Sequence, residues 1–451
     1  MFNLKFSQVY IGLFLVGLLL ALLYSSNQAL NGDQLQTLYR GYLAAYQGSW
    51  LNYGNAASVV GNVPGSLSTL VVGVPLVLWD SPWAPMLVII ACNIAALVLL
   101  DKVIRQVFDE PARLLFLVLF WLSPWFLYQH MLYNPAYLFF CSALHFYTAF
   151  HLRDKSSFWL TFWHVIAIGL VMQLHYSWPL LVLVSGYLFV RAIIKINYWA
   201  VAAAFLVLAA SLVPYILEVL AASFDATRPE EFAKQRYIGW GLVHVYPVLK
   251  ALIYWLRYSS FLFTEKLISG ATFDWITSSD MLRMVVQYAY RGVLYGVGLF
   301  TLVFSFEANW YLFKRVKGLW LAGGLLRRFA PRNDEKTEEF IAPRNDVEVN
   351  SEDWLMLYFG ACVVAILISA GLSPTVFGYW HLIMLYPFAA MNMLVYLKHN
   401  HLKPSNFVRY LLLIGVFSVF VNLVAAHDSV KFTYKVPYVE QVEAWLVEQK
   451  L

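Results

Sequence analysis

The sequence predicts an all-α polytopic integral membrane protein, and three observations lead there. Of 451 residues, 61% are hydrophobic and only 13% charged, about half the charged share of a soluble globular chain. Mean hydropathy is +0.63. Apolar runs of about 17–25 residues, the length needed to cross a bilayer, recur along the whole chain.

Eleven such runs are read as spans: 8–28, 84–101, 112–129, 136–151, 158–175, 178–194, 198–217, 285–306, 354–370, 379–397 and 408–426. The first follows Lys5 without a small-x-small cleavage site, so it is expected to remain as a signal anchor. The run 64–79, PGSLSTLVVGVPLVLW, is shorter and carries Pro64 and Pro75. It is predicted to be a re-entrant or interfacial half-helix.

Basic residues set the orientation. With the N-terminus inside, the inner segments hold Lys5, then Lys102, Arg105 and Arg113, then Arg153 and Lys155, then Arg191 and Lys195. They also hold the basic residues of 307–353, and Lys398, Lys403 and Arg409. The short outer loops hold almost none, as the positive-inside bias requires. The N-terminus is therefore expected in the cytoplasm, and a bacterial inner membrane is the expected location. The net charge of +5 follows from those basic loops. With no basic patch interleaved with aromatics, nucleic-acid binding is not expected.

The division that follows is a transmembrane core over 1–306 with outer loops 29–83 and 218–284. An inner linker occupies 307–353, closing helices 354–426, and an outer tail 427–451. The linker repeats APRND at 330–334 and 342–346, a duplication in a charged stretch that reads as a connector. In the large outer loop, Thr227-Arg-Pro-Glu230 is a capping box. The helix predicted after it is aromatic and basic, which suits a membrane–water interface. The tail's VEQVEAWLVEQ has the spacing of an amphipathic helix.

Chemistry-bearing residues are few. Cys92, Cys141 and Cys362 lie in apolar runs and read as small core residues. His130, His175 and His381 share no helical spacing with a carboxylate, so no metal is expected; no other cofactor is indicated. His145 and His164 lie deep in their spans and read as helix bridges. Gly292-x-x-x-Gly296 with Gly298 predicts a close-packing helix face. The chain has no P-loop, GxGxxG, GxSxG or CxxC, which argues against a nucleotide-driven pump or a soluble-type nucleotide-sugar enzyme.

One acid, Asp33, stands directly after the first span in ALNGDQLQTLYRGYLAAYQGSW. It is followed by NVPGSLSTLVVGVPLVLWDSPWAPMLVIIACNIAALVLL, FLVLFWLSPWFLYQHMLYNPAYLFFCSALHFYTAF and, late in the chain, GYWHLIMLYPFAAM. In order and topology, over about residues 1–400, this set resembles the polyprenol-phosphate-sugar-dependent glycosyltransferases of the GT-C fold. The relatives meant are the protein O-mannosyltransferases and the aminoarabinose transferase of lipid A. The resemblance implies transfer of a sugar from a polyprenyl phosphate to an acceptor hydroxyl at the outer face, with Asp33 as the base. It also implies a cationic and polar cradle for the lipid phosphate, assigned to Arg40, Asn134, Lys234, Arg236, Tyr379 and His381.

The chain departs from the family pattern in four places. Gln34 stands where a second carboxylate often follows, and Asn62-Val-Pro64 replaces His-Pro-Pro. Asn134 replaces an acid, and Trp380-His381 replaces an Arg-Tyr pair. Two alternatives stay open: a degenerate enzyme that binds lipid phosphate without turnover, and a non-catalytic transporter or partner protein for lipid-linked saccharides. A transporter path needs ionisable groups in mid-span, which are nearly absent here.

Overall fold

The computed structural model describes residues 5–57, 61–221, 245–263, 271–322, 350–401 and 404–449. The protein is an integral membrane protein built from helices. Seven helices of the described residues are long and apolar enough to cross a bilayer. They are α1 (Phe6–Asn27), α4 (Trp83–Val107), α10 (Tyr198–Leu220), α12 (Asp280–Ala322), α13 (Ser351–Leu372), α15 (Tyr386–Asn400, with its lead-in from Tyr379) and α16 (Pro404–His427).

The other four predicted spans are shorter or broken. Residues 112–129 form α5 (Glu110–Phe120) and a four-residue helix, α6 (Pro124–Leu127), instead of one span. The break has a local cause. Ser123 Oγ accepts from the Trp125 backbone N–H at 3.2 Å, and Pro124 brings a fixed φ and no donor to carry α5 onward. The next span enters as a 3-10 turn at Asn134–Tyr137 and continues as α7 (Leu138–Leu152). It is followed by α8 (Phe158–Leu174) and α9 (Trp178–Val190). At 1.5 Å per residue, the 13 residues of α9 reach about 20 Å, less than the roughly 30 Å hydrocarbon layer. These short helices are packed among longer ones, and nearly every side chain from Leu114 to Leu152 is buried.

The helix predicted over 285–306 extends much further, through 43 residues to Ala322. It thus runs into the segment read as a linker. The repeats at 330–346 and the capping box at 227–230 lie outside the described residues. Of the three glycines predicted as a packing face, Gly298 meets the Leu262 backbone, where a Cβ would approach to 2.8 Å. Gly292 and Gly296 face open space among the described residues. His145 and His164 do bridge helices. They stack 4.1 Å apart and share Ser185 Oγ, at 2.7 and 3.0 Å, which joins α7, α8 and α9; Tyr358 of α13 completes the set at 2.9 Å.

The first outer loop folds into a hairpin of helices. In α2 (Gly32–Gln47), Gln34, Thr37, Leu38, Gly41 and Tyr42 are buried, a stripe at helical spacing. It faces α3 (Leu67–Leu78), the predicted half-helix. At the crossing, a Cβ on Gly41 would overlap the side chain of Val72, so this contact needs glycine. The 12 residues of α3 span about 18 Å, roughly half the membrane. Its far end leaves Leu78 81% exposed, as suits an apolar tip set in lipid. Gly48, at φ +68°, closes α2 with a left-handed cap.

Two short antiparallel pairs add to the all-α expectation. Strands β1 (Tyr53–Ala57) and β2 (Gly61–Pro64) connect α2 to α3, and β3 (Asp428–Ser429) pairs with β4 (Phe432–Thr433) after α16. The amphipathic tail helix forms as α17 (Tyr438–Gln449). It lies against α2, with Trp445 near the rings of Tyr39 and Tyr42.

Candidate active site

Asp33 lies in the first turn of α2, after Asn31 in the N-cap position. The carboxylate is exposed and makes no ion pair among the described residues. Its backbone is held: the Asp33 carbonyl accepts from Thr37 Oγ1 at 2.8 Å. Thr37 is in turn bonded by Asn55 Nδ2 at 2.8 Å, so β1 steadies this turn.

The turn 128–134 forms the facing wall. Gln34 Nε2 approaches Met131 Sδ at 3.2 Å, bringing α2 onto it. Burial pushes the Tyr133 phenol well up, and Tyr379, Tyr128, Asp33 and Tyr258 push in the same direction. Four buried polar atoms of this wall and its neighbour have no partner among the described residues: Tyr133 OH, Asn134 Oδ1, Gln129 Oε1 and Gln34 Oε1. Orphaned polar atoms cost about 1–3 kcal/mol each, so this wall has hydrogen-bonding capacity to offer another molecule. Asn134 itself is only 4% exposed.

The third wall is aromatic. Tyr379 opens α14 (Tyr379–Leu382), and its carbonyl accepts from the Tyr258 hydroxyl, at the end of α11 (Val245–Tyr258). Trp125 meets Tyr258 and Tyr379 at ring distances of 5.0 and 6.0 Å. Arg257 lies 6.0 Å from the Trp125 ring and 5.7 Å from that of Tyr254. Its guanidinium is fixed by the carbonyls of Leu262, at 2.8 Å, and Phe263.

The remaining predicted residues divide. Arg40 is half-buried, donates to the Tyr53 carbonyl at 2.9 Å and covers that ring at 5.1 Å. Burial lowers its guanidinium to about 10. It thus pins β1 to α2. His381 accepts from the Gly378 N–H at 2.8 Å through Nδ1 and lies 5.5 Å from the His175 ring. It sits beside the aromatic wall, next to Phe377 and Trp380. Lys234 and Arg236 lie outside the described residues. Gln34, 1% exposed, occupies a position where a second carboxylate would be buried, so an amide there is the less costly choice.

Sequence reasoning missed Tyr133 and Arg257. The first stands in a short polar run, Tyr133-Asn-Pro135, between two apolar stretches, and that interruption was its signal. Arg257 closes an aromatic helix whose one other cation is Lys250.

An apolar cavity of about 430 Å³ opens beside the site. It shares Tyr258 with the aromatic wall and passes Phe304, Tyr386 and Phe417 toward His401, at the opposite end of α15.

No family model matches the chain, and no curated protein matches it. Among solved structures, the crystal structure of ArnT from Cupriavidus metallidurans in the apo state is similar. The identity is 14% and the TM-score 0.47, covering 90% of this chain and 62% of that one. The chain thus matches less than two thirds of the length of that protein.

Proposed function

We propose that the protein is an integral-membrane glycosyltransferase. It moves a sugar from a polyprenyl-phosphate donor to an acceptor hydroxyl of a glycolipid, polysaccharide or protein, on the face that carries Asp33. The observation that supports this most is the packing of the first turn of α2, which carries Asp33, onto the turn 128–134 through Gln34 and Met131 at 3.2 Å, beside a buried Tyr133 hydroxyl that has no partner among the described residues. The site lies beside an apolar cavity suited to a hydrocarbon chain.

In this reading the acceptor oxygen attacks the anomeric carbon as the bond from that carbon to the phosphate oxygen breaks. Asp33 takes the acceptor proton, the work of a general base. Negative charge grows on the leaving phosphate, and donors aimed at that charge lower the barrier. Arg257, Tyr133 and Asn134 are the described residues assigned this task, with Tyr379 and His381 bordering it. Arg40, Lys234 and Arg236 belong to the proposal on sequence grounds. A bacterial inner membrane with a cytoplasmic N-terminus is part of the same proposal; it places the chemistry on the periplasmic side.

The test uses the full chain in lipid nanodiscs with a polyprenyl-phosphate sugar and a panel of acceptors. Acceptor-dependent release of free polyprenyl phosphate is the expected result, abolished by Asp33→Asn. An Asp33→Asn protein that transfers at the wild-type rate removes the assignment.

A further inference from the structure

Residues 428–449 are remote from Asp33 in sequence yet hold each residue from Gln28 to Asn31, just before it. Gln28 pairs with Phe432 in an antiparallel bridge. The Ala29 N–H donates to the Lys431 carbonyl at 2.8 Å. The Leu30 N–H donates to Gln441 Oε1 at 2.9 Å, and Gln441 Nε2 donates to the Gln28 carbonyl at 3.0 Å. Lys431 Nζ donates to Asn31 Oδ1 at 2.6 Å. Asn31 is the N-cap residue of α2, and its side chain makes no cap to that helix.

The same contacts reach the facing wall. Gln28 Oε1 accepts from the Leu132 N–H at 2.7 Å, one residue before Tyr133. Phe432, fully buried, sits between Tyr24 and Tyr128 at 4.7 and 5.0 Å. The other side of the tail is tied to the large outer loop. Asp428 Oδ2 accepts from the Thr272 N–H and Oγ1, at 2.5 and 2.7 Å, and Lys435 pairs with Asp274 at 2.5 Å.

We infer that this hairpin and helix form a strap that sets the Asp33 turn of α2 against the turn 128–134, with Gln441 and Lys431 as its positioning residues. The inference rests on the proposed role of Asp33. Because the exposed carboxylate has no ion-pair partner among the described residues, its place is fixed through its backbone. That backbone starts from 28–31, and a displacement of about 1 Å at a reacting group can cost a hundredfold in rate.

The experiment compares Gln441→Leu, Lys431→Met and Lys431→Arg with wild type in nanodiscs. Hydrogen exchange of the amides in 28–38 and 131–134 is expected to quicken roughly tenfold in Gln441→Leu, the loss of about two modest hydrogen bonds. Exchange in α7, α8 and α9 stays unchanged. Donor turnover falls roughly tenfold with KM for the polyprenyl-phosphate sugar held, and Lys431→Arg keeps what Lys431→Met loses. If Gln441→Leu fails to insert, Lys431→Met alone carries the same expectations. Unchanged exchange at 28–38, or equal loosening of the whole bundle, overturns the strap. If wild type shows no transfer, the proposed function fails while the exchange result still decides the strap.

Discussion

The two faces of the bundle treat charge differently. On the face opposite Asp33, charges meet partners. Arg113 grips Asp101 with two bonds, at 3.2 and 2.9 Å. Arg315 meets Asp353 at 2.6 Å, Lys398 and His399 share Glu352, and Tyr396 bridges Glu307 and His401. On the Asp33 face, the acid has no ion pair among the described residues. Arg40 and Arg257 are turned to aromatic rings and carbonyls, and Tyr133, Asn134 and Gln129 leave buried polar atoms without partners among those residues. On the opposite face most charged groups are matched by ion pairs within the protein. On the Asp33 face several donors and acceptors around the acid are left to meet another molecule.

The sharpest way to break this contrast is Asp33→Asn. Loss of transfer by about 10²–10⁴-fold is expected, with membrane insertion and thermal stability retained, as measured by donor turnover beside a melting curve. Tyr133→Phe is the next largest. The hydroxyl it removes has no partner among the described residues, so Tm is expected to hold or rise, while transfer falls roughly tenfold as a phosphate donor is lost. A fall in Tm would mean that the hydroxyl supports the fold and not the ligand. Arg315→Ala on the opposite face is expected to cost about 0.2–1 kcal/mol of stability, as partly exposed pairs do, and to leave turnover unchanged.

The smallest effect concerns the ion pair of the strap. Lys435, with Tyr434 and Thr272, holds the Asp274 carboxyl down at about 2, and the same carboxylate raises Lys435. An acid held below its ordinary value, about 3.9, adds stability above that value and loses it as pH falls through the folded one. A raised lysine loses its share only as pH climbs past its folded value. Exchange protection of 428–435 is thus expected to stay flat from about pH 5 to 9 and to fall between about 4 and 2. Loss near pH 6 would show that another group governs the tail.

Much of the scaffold was legible because it is local. The long apolar runs became α1, α4, α10, α13 and α16 with boundaries shifted by a few residues, the Pro-bearing run became the half-helix α3, and the tail pattern became α17. Asp33 stood out as a candidate in the sequence because it is alone at the exit of a span. The break at 121–123 was not, since Trp121 and Leu122 continue the apolar run and only Ser123-Pro124 signals a stop. The length of α12 was hidden by its charged end, where Lys314, Arg315 and Lys317 read as loop. Arg257 was obscured by neighbouring cations, and two of those, Lys234 and Arg236, lie outside the described residues. The strap could not be read at all, because its bonds join residues that no periodicity connects.

That long-range stitching has a consequence for biogenesis. Residues 28–31 emerge on the ribosome hundreds of codons ahead of residues 428–441. A nascent chain halted in between would already own most of its helices but would hold its doorway ajar. On the strap reading, the surroundings of residues 28–31 are completed only once residues 428–441 have been made.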